Sequence, residues 1–111
     1  MAVIPEVESS RAYEWLREGK TLFVDVRDRM AYLQGHIPGA KNLDDGEIVR
    51  FVDSADKAQR IVVYCYAGNF APGGVDFLRK KGFSDVWTLW GGFADWEETY
   101  PALRELGDPR R

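Results

Sequence analysis

Short apolar runs alternate with amphipathic stretches along the whole chain, and the alternation predicts strands separated by helices. Residues 21–26 (Thr-Leu-Phe-Val-Asp-Val), 61–65 (Ile-Val-Val-Tyr-Cys) and 85–89 (Asp-Val-Trp-Thr-Leu) are brief and nearly continuous in apolar or β-branched positions. That is the signature of strands covered on both faces of a parallel sheet. Residues 40–43 form a shorter candidate strand. Helical spacing appears in Ala12, Trp15 and Leu16, again in Ile48, Val49, Phe51 and Val52, and again in Val75, Phe77 and Leu78. A last helix is expected over residues 93–100. Ser9 or Ser10 can cap the first helix, Gly19 can close it, and Pro72 marks the first turn of the helix after residue 65. Gly73 and Gly74 follow, each costing about 0.8–1.0 kcal/mol relative to alanine if helical. The pattern predicts an α/β fold with a small central parallel sheet and helices on both faces. In such sheets ligands bind beyond the carboxyl ends of the strands.

The 111 residues carry no repeat and no linker rich in Gly, Ser or Pro, so one domain over residues 1–111 is expected. Its tail, residues 103–111, holds Gly107, Pro109 and two closing arginines and is expected to be flexible or docked at the surface. One cysteine excludes an internal disulfide, and no apolar run approaches the ~20 residues of a membrane span. A soluble, cytoplasmic protein with a reduced thiol is the expectation. A net charge of −3 and a pI near 5.1 oppose non-specific nucleic-acid binding, which needs a basic face. The one basic cluster, Arg79-Lys80-Lys81, falls in the last turn of a helix closed by Gly82, where cations complement the helix dipole. One cysteine and one histidine fall short of the usual zinc ligand sets.

Cys65 sits where an apolar strand gives way to the glycine-punctuated stretch Tyr66-Ala67-Gly68-Asn69-Phe70-Ala71-Pro72. A thiol so placed faces a helix N-terminus, whose unpaired N–H groups and dipole favour anionic sulfur. The plain alternative is a small buried hydrophobe. Three loop chemistries fit between a strand and a helix. The stretch from Gly68 to Gly74 has the spacing of a nucleotide P-loop, but Gly74 and Val75 stand where its Lys and Ser or Thr belong. A cysteine phosphatase requires a bidentate arginine six residues after its cysteine, and Ala71 stands there, with Tyr64 rather than His before the cysteine. The third possibility is a short loop whose N–H groups curl around a cysteine persulfide.

Three segments then resemble the rhodanese (sulfurtransferase) family, in order and at family spacing. They are Leu22-Phe23-Val24-Asp25-Val26-Arg27-Asp28, then Gly35-His36-Ile37-Pro38-Gly39-Ala40-Lys41-Asn42, then the Trp90-Gly91-Gly92-Phe93-Ala94-Asp95-Trp96 end of residues 85–96. The six-residue loop from Cys65 to Phe70, opening Cys-Tyr-x-Gly-Asn, is most similar to the single-domain, GlpE-like thiosulfate sulfurtransferase branch. The resemblance implies a rhodanese-like domain in which Cys65 takes sulfur from a donor such as thiosulfate or a persulfide. That sulfur passes to cyanide, a thiol or a protein acceptor, with no metal or organic cofactor and no nucleic-acid or membrane partner. It also implies that the backbone amides of Tyr66, Ala67, Gly68, Asn69, Phe70 and Ala71 hold the extra sulfur, and that Trp90 approaches the pocket. A protein-to-protein sulfur carrier and a catalytically silent binding module share the same fold.

Phe70 and Tyr66 occupy positions where many members carry a cation or a small hydroxyl residue. With Trp90 they are expected to form an aromatic rim favouring organic or protein-borne sulfur, the alternative being that Phe70 and Trp90 pack inward. Ala31 replaces a glutamate that often pairs with the arginine of the Asp-Val-Arg turn, so Arg27 needs another partner or faces solvent. Asp25 and Asp28 can pair with Arg27 or cap turns, and His36 is expected to hydrogen-bond its turn rather than act as a base. Trp15, Trp87 and Trp96 are expected in the core.

Overall fold

In the computed structural model, which describes residues 3–108, the chain runs β1 (Glu6–Val7), α1 (Ser9–Glu18), β2 (Leu22–Asp25), α2 (Arg29–Gln34), β3 (Lys41–Asn42), α3 (Asp45–Ser54), β4 (Ile61–Tyr64), α4 (Ala71–Lys80), β5 (Val86–Leu89) and α5 (Gly92–Thr99). The strands form one sheet in the order β1-β5-β4-β2-β3, every pair parallel. β4 is central, with Val63 in register with Val24 on one side and Thr88 on the other. All four of its residues are buried, as its unbroken apolar run predicts.

The pleat of β4 divides the core. Val62 and Tyr64 point into a cluster with Ala12 and Trp15 of α1 and Phe93 and Trp96 of α5. Ile61, Val63 and Cys65 point the other way, into a cluster with Ile48 of α3 and Val75 and Leu78 of α4. Successive strand residues alternate faces, so the side of the sheet on which the thiol lies is set by counting along β4.

The expected strands and helices are present, together with two elements the pattern did not show. β1 is two residues pairing with the edge of β5, and α2 is a six-residue helix, both too short for periodicity to register. α2 does carry its own start signal, for the Asp28 carboxylate accepts the Ala31 N–H at 2.9 Å. The expected cap of α1 is absent. Ser9 lies inside the helix, whose N-cap Glu8 makes no side-chain cap bond, and the Ser9 hydroxyl donates instead to Asp95 of α5 at 2.7 Å. Gly19 closes α1 in the left-handed conformation as expected.

Of the two alternatives for the tail, docking is the one the structure shows as far as Asp108. Glu105 and His36 exchange backbone hydrogen bonds of 2.8 and 3.0 Å, Gly107 N–H donates to the Leu33 carbonyl, and the Trp96 indole N–H donates to the Leu103 carbonyl. Arg29 pairs with Asp108 at 2.6 Å. Pro109 and the two closing arginines lie outside the described residues. Trp15 and Trp96 are buried as expected, and Trp87 packs edge-on against Trp15.

The Tyr64 hydroxyl accepts the Ile37 N–H at 3.1 Å, tying the central strand to the turn after α2. Burial, reinforced by the charge of nearby Asp25, raises the Tyr64 phenol well above its ordinary value. The unfolded chain therefore releases this proton first, and the contribution of neutral Tyr64 is present below pH ~10 and lost as pH rises beyond it. Tyr64→Phe is expected to cost about 1–3 kcal/mol at neutral pH by orphaning the Ile37 N–H. It should also narrow the alkaline loss of stability, read from urea midpoints on either side of pH ~10. An equal alkaline loss in parent and variant would remove Tyr64 as its source.

Candidate active site

β4 ends at Tyr64, and the chain turns through residues 65–70 into α4 at the carboxyl edge of the sheet. The helix opens without a conventional cap. Phe70 is its N-cap residue and makes no side-chain cap bond, while Pro72 in the first turn has no N–H to satisfy. Cys65 Sγ takes the acceptor's place, receiving N–H bonds from Gly68 at 3.2 Å, Phe70 at 3.3 Å and Ala71 at 3.4 Å. Of the six amides expected to line the loop, these three converge on the sulfur; those of Tyr66, Ala67 and Asn69 are not among its donors. Gly68 sits at φ +92, a conformation a side chain would strain. Cys65 as a residue is 3% exposed.

The outer side of the loop is held by a second helix. The Phe93 N–H donates to the Cys65 carbonyl at 2.9 Å and the Ala94 N–H to the Tyr66 carbonyl at 2.8 Å, so the first turn of α5 takes up the loop's carbonyls. This approach needs Gly92. A Cβ there would lie 2.5 Å from the Tyr66 carbonyl oxygen and 2.7 Å from that of Cys65, at φ +61. With its carbonyls turned toward α5, the loop presents N–H groups to the sulfur, an arrangement suited to an anionic sulfur species.

Arg27 finds its partner in Asp25, two residues earlier. Its guanidinium meets the carboxylate at 2.6 Å through one nitrogen and at 3.1 Å through another, donates to the Gly35 carbonyl, and lies 4.3 Å from the Phe93 ring centre. Burial pulls the Arg27 pKa down, but hydrogen bonding and charge from Asp25 outweigh it and the net direction is upward. Asp28 caps α2. His36 is fully buried, stacked on Tyr32 at 3.7 Å, with Nδ1 at the Tyr32 carbonyl and Nε2 at the Glu105 carboxylate, so it braces its own turn. Among the described residues no group of three or more His, Cys, Asp and Glu is arranged to hold a metal ion, and no helix is long and apolar enough to cross a membrane.

The aromatic rim is not assembled as expected. Tyr66, Phe70 and Trp90 are 56%, 80% and 54% exposed, so neither Phe70 nor Trp90 packs inward. They nevertheless border three different depressions. Tyr66 faces one with Arg27, Phe93 and Arg104, Phe70 one with Ile48 and Phe77, and Trp90 one with Ser9 and Asp95. The pleat explains the first separation, since Tyr66 follows Tyr64 toward the α5 face while Cys65 turns toward α3 and α4. The apolar positions Val26, Leu43, Ile48 and Val49, which share the Phe70 depression, were not recognised as site residues. Coming from separated segments, they leave no local signal.

The rhodanese-like domain family model matches residues 8–99. The chain is 43% identical over 94 residues to a thiosulfate sulfurtransferase GlpE of Pseudomonas fluorescens strain Pf-5, covering 85% of this chain and 86% of that protein. It is 44% identical over 93 residues to the protein of the same name from strain SBW25, covering 84% and 85%. Among solved structures, that of the Alr3790 protein from Anabaena sp. is similar with a TM-score of 0.81 at 30% identity, covering 90% of this chain and 82% of that one.

Gly92→Ala is expected to destabilise the protein by at least about 1–2 kcal/mol, the cost of a left-handed alanine before any clash with the loop is counted. Gly73→Ala, whose Cβ meets nothing within 4 Å, is expected to be neutral or stabilising by up to about 1 kcal/mol. Urea midpoints for the two variants check both, and a Gly92→Ala protein as stable as the parent would mean that the loop is not pinned at this contact.

Proposed function

The chain belongs to the rhodanese-like domain family, and on that premise we propose that it is a thiosulfate sulfurtransferase that works through a persulfide on Cys65. The observation that carries the assignment of the nucleophile is the convergence of the Gly68, Phe70 and Ala71 N–H groups on Sγ, at the carboxyl end of the central strand. The rest of the chain acts as one domain that positions this loop.

In the first half-reaction the Cys65 thiolate attacks the outer sulfur of thiosulfate. The S–S bond to the sulfite group breaks, sulfite departs with the bonding pair, and the outer sulfur stays on Sγ as a persulfide. In the second, cyanide or a thiolate attacks that outer sulfur. The Sγ–S bond breaks, its electron pair returns to Cys65, and thiocyanate or an organic persulfide leaves. Atoms and electrons balance without an external oxidant or reductant, so the cycle needs no redox cofactor.

Each stage leaves anionic sulfur at the loop, and hydrogen bonds to a charged acceptor are worth about 1.5–3 kcal/mol against about 0.5–1.5 for neutral pairs. The three cradle amides thus supply donors where each stage of the cycle places negative charge on sulfur. The chemistry requires a reduced cysteine, in keeping with a cytoplasmic setting.

Initial rates over a matrix of thiosulfate and cyanide concentrations test the reading. Parallel double-reciprocal lines are expected, because sulfite leaves before the acceptor reacts, and Cys65→Ala should fall to the uncatalysed rate. Intersecting lines, or turnover surviving in Cys65→Ala, would contradict a Cys65 persulfide. Absence of turnover in the parent protein would favour a binding module of the same fold.

A further inference from the structure

A groove of about 510 Å³ opens between α3 and α4, on the face of the sheet toward which Cys65 turns. Val26, Leu43, Ile48, Val49, Phe70 and Phe77 line it, and Gly73 and Gly74 give it room. Val26, Leu43 and Ile48 also pack in or against the apolar cluster that contains Cys65, and Phe70, which lines the groove, donates its N–H to Cys65 Sγ at 3.3 Å. The depression beside Tyr66, with Arg27 and Arg104, belongs to the opposite face.

Two observations define what the groove can accept. The first is the pair of glycines. Gly73 and Gly74 stand in the first turn of α4, where each is a poorer helix former than alanine by about 0.8–1.0 kcal/mol. A Cβ at Gly74 would touch Val63 at 3.4 Å and Ile48 at 3.9 Å, whereas one at Gly73 would meet nothing within 4 Å and would project into open space. The second is charge. Among the described residues that line the groove, Asp44 and Asp45 are the ionisable ones, and none is a lysine or arginine. The Asp44 carboxylate accepts the Glu47 N–H in the cap of α3, which fixes negative charge at the mouth.

We propose that this groove is the acceptor subsite, and that its occupant is a small organic thiol with an apolar body and no carboxylate. The proposal rests on the sulfurtransferase reading and adds the acceptor class. The apolar body lies along Ile48, Val49, Phe70 and Phe77 and directs its thiolate at the outer sulfur of the Cys65 persulfide. A new S–S bond forms, the Sγ–S bond breaks with its pair returning to Cys65, and the organic persulfide leaves. An anionic thiol meets the two aspartates, with no lysine or arginine among the described residues of the lining.

The test begins with protein charged by thiosulfate, the added sulfur being read by intact mass. Discharge is then timed with 2-phenylethanethiol, 3-mercaptopropionate and cyanide, thiol rates being corrected for thiolate fraction. Phenylethanethiol is expected to discharge the persulfide about tenfold faster than mercaptopropionate, a ratio of the size hydrophobic pockets deliver. Gly73→Leu, which fills the groove, should lower the ratio of the phenylethanethiol rate to the cyanide rate. Val49→Lys, at an exposed position, should move preference toward mercaptopropionate and keeps the test decisive should Gly73→Leu fail to fold. Charged protein with equal corrected rates, or a ratio untouched by both variants, would overturn the acceptor subsite alone. Failure to charge would overturn the sulfurtransferase reading and the subsite with it.

Discussion

An α-helix must find acceptors for its first N–H groups, and α4 finds a sulfur. Its N-cap residue, Phe70, offers no side-chain oxygen, and Pro72 removes one donor from the first turn. The N–H groups of Phe70 and Ala71, joined by that of Gly68, close on Cys65 Sγ instead. The cysteine thus serves as the local cap of the helix that follows it, and the same bonds that end the loop define the sulfur-binding cradle. Local folding and chemistry share three hydrogen bonds.

That arrangement depends on contacts made some thirty residues away in sequence. The loop can turn its N–H groups inward because α5 takes its carbonyls, and α5 can approach because Gly92 has no Cβ. Arg27 reinforces the same region from below, its guanidinium held by Asp25 and lying against Phe93, whose own N–H grips the Cys65 carbonyl. Gly35, whose carbonyl also receives Arg27, leads into the turn where Tyr64 holds Ile37 and the docked tail pairs with His36. The segments that carry the family resemblance are therefore the ones in physical contact around the end of β4.

Much of this was legible in the sequence, and the limits have physical causes. The runs at residues 61–65 and 85–89 read as buried strands because both faces of a parallel sheet are covered, and the position of Cys65 at a strand end followed directly. Arg27 lacks the glutamate partner, and of the two aspartates able to pair with it or cap a turn, Asp25 takes the pairing and Asp28 the cap, a division set by a backbone turn that apolar periodicity does not report. β1 and α2 are shorter than the windows in which periodicity can be seen. For the tail the sequence left flexible and docked open, because its anchorage is backbone pairing with His36 and Leu33, which composition does not encode. The aromatic rim rested on the family segments, which do not report that Tyr66, Phe70 and Trp90 border three different depressions. The groove between α3 and α4 is built from several separated segments and leaves no local signal in the sequence.

The claim on which the account stands is that Cys65 Sγ, held by three backbone N–H groups, accepts and retains a second sulfur. Intact mass of the protein after exposure to thiosulfate and removal of excess reagent tests it most directly, with Cys65→Ala treated alongside. The account predicts a gain of one sulfur on the parent protein alone, lost on adding cyanide. The same gain on Cys65→Ala, or none on a folded and fully reduced parent, would contradict it.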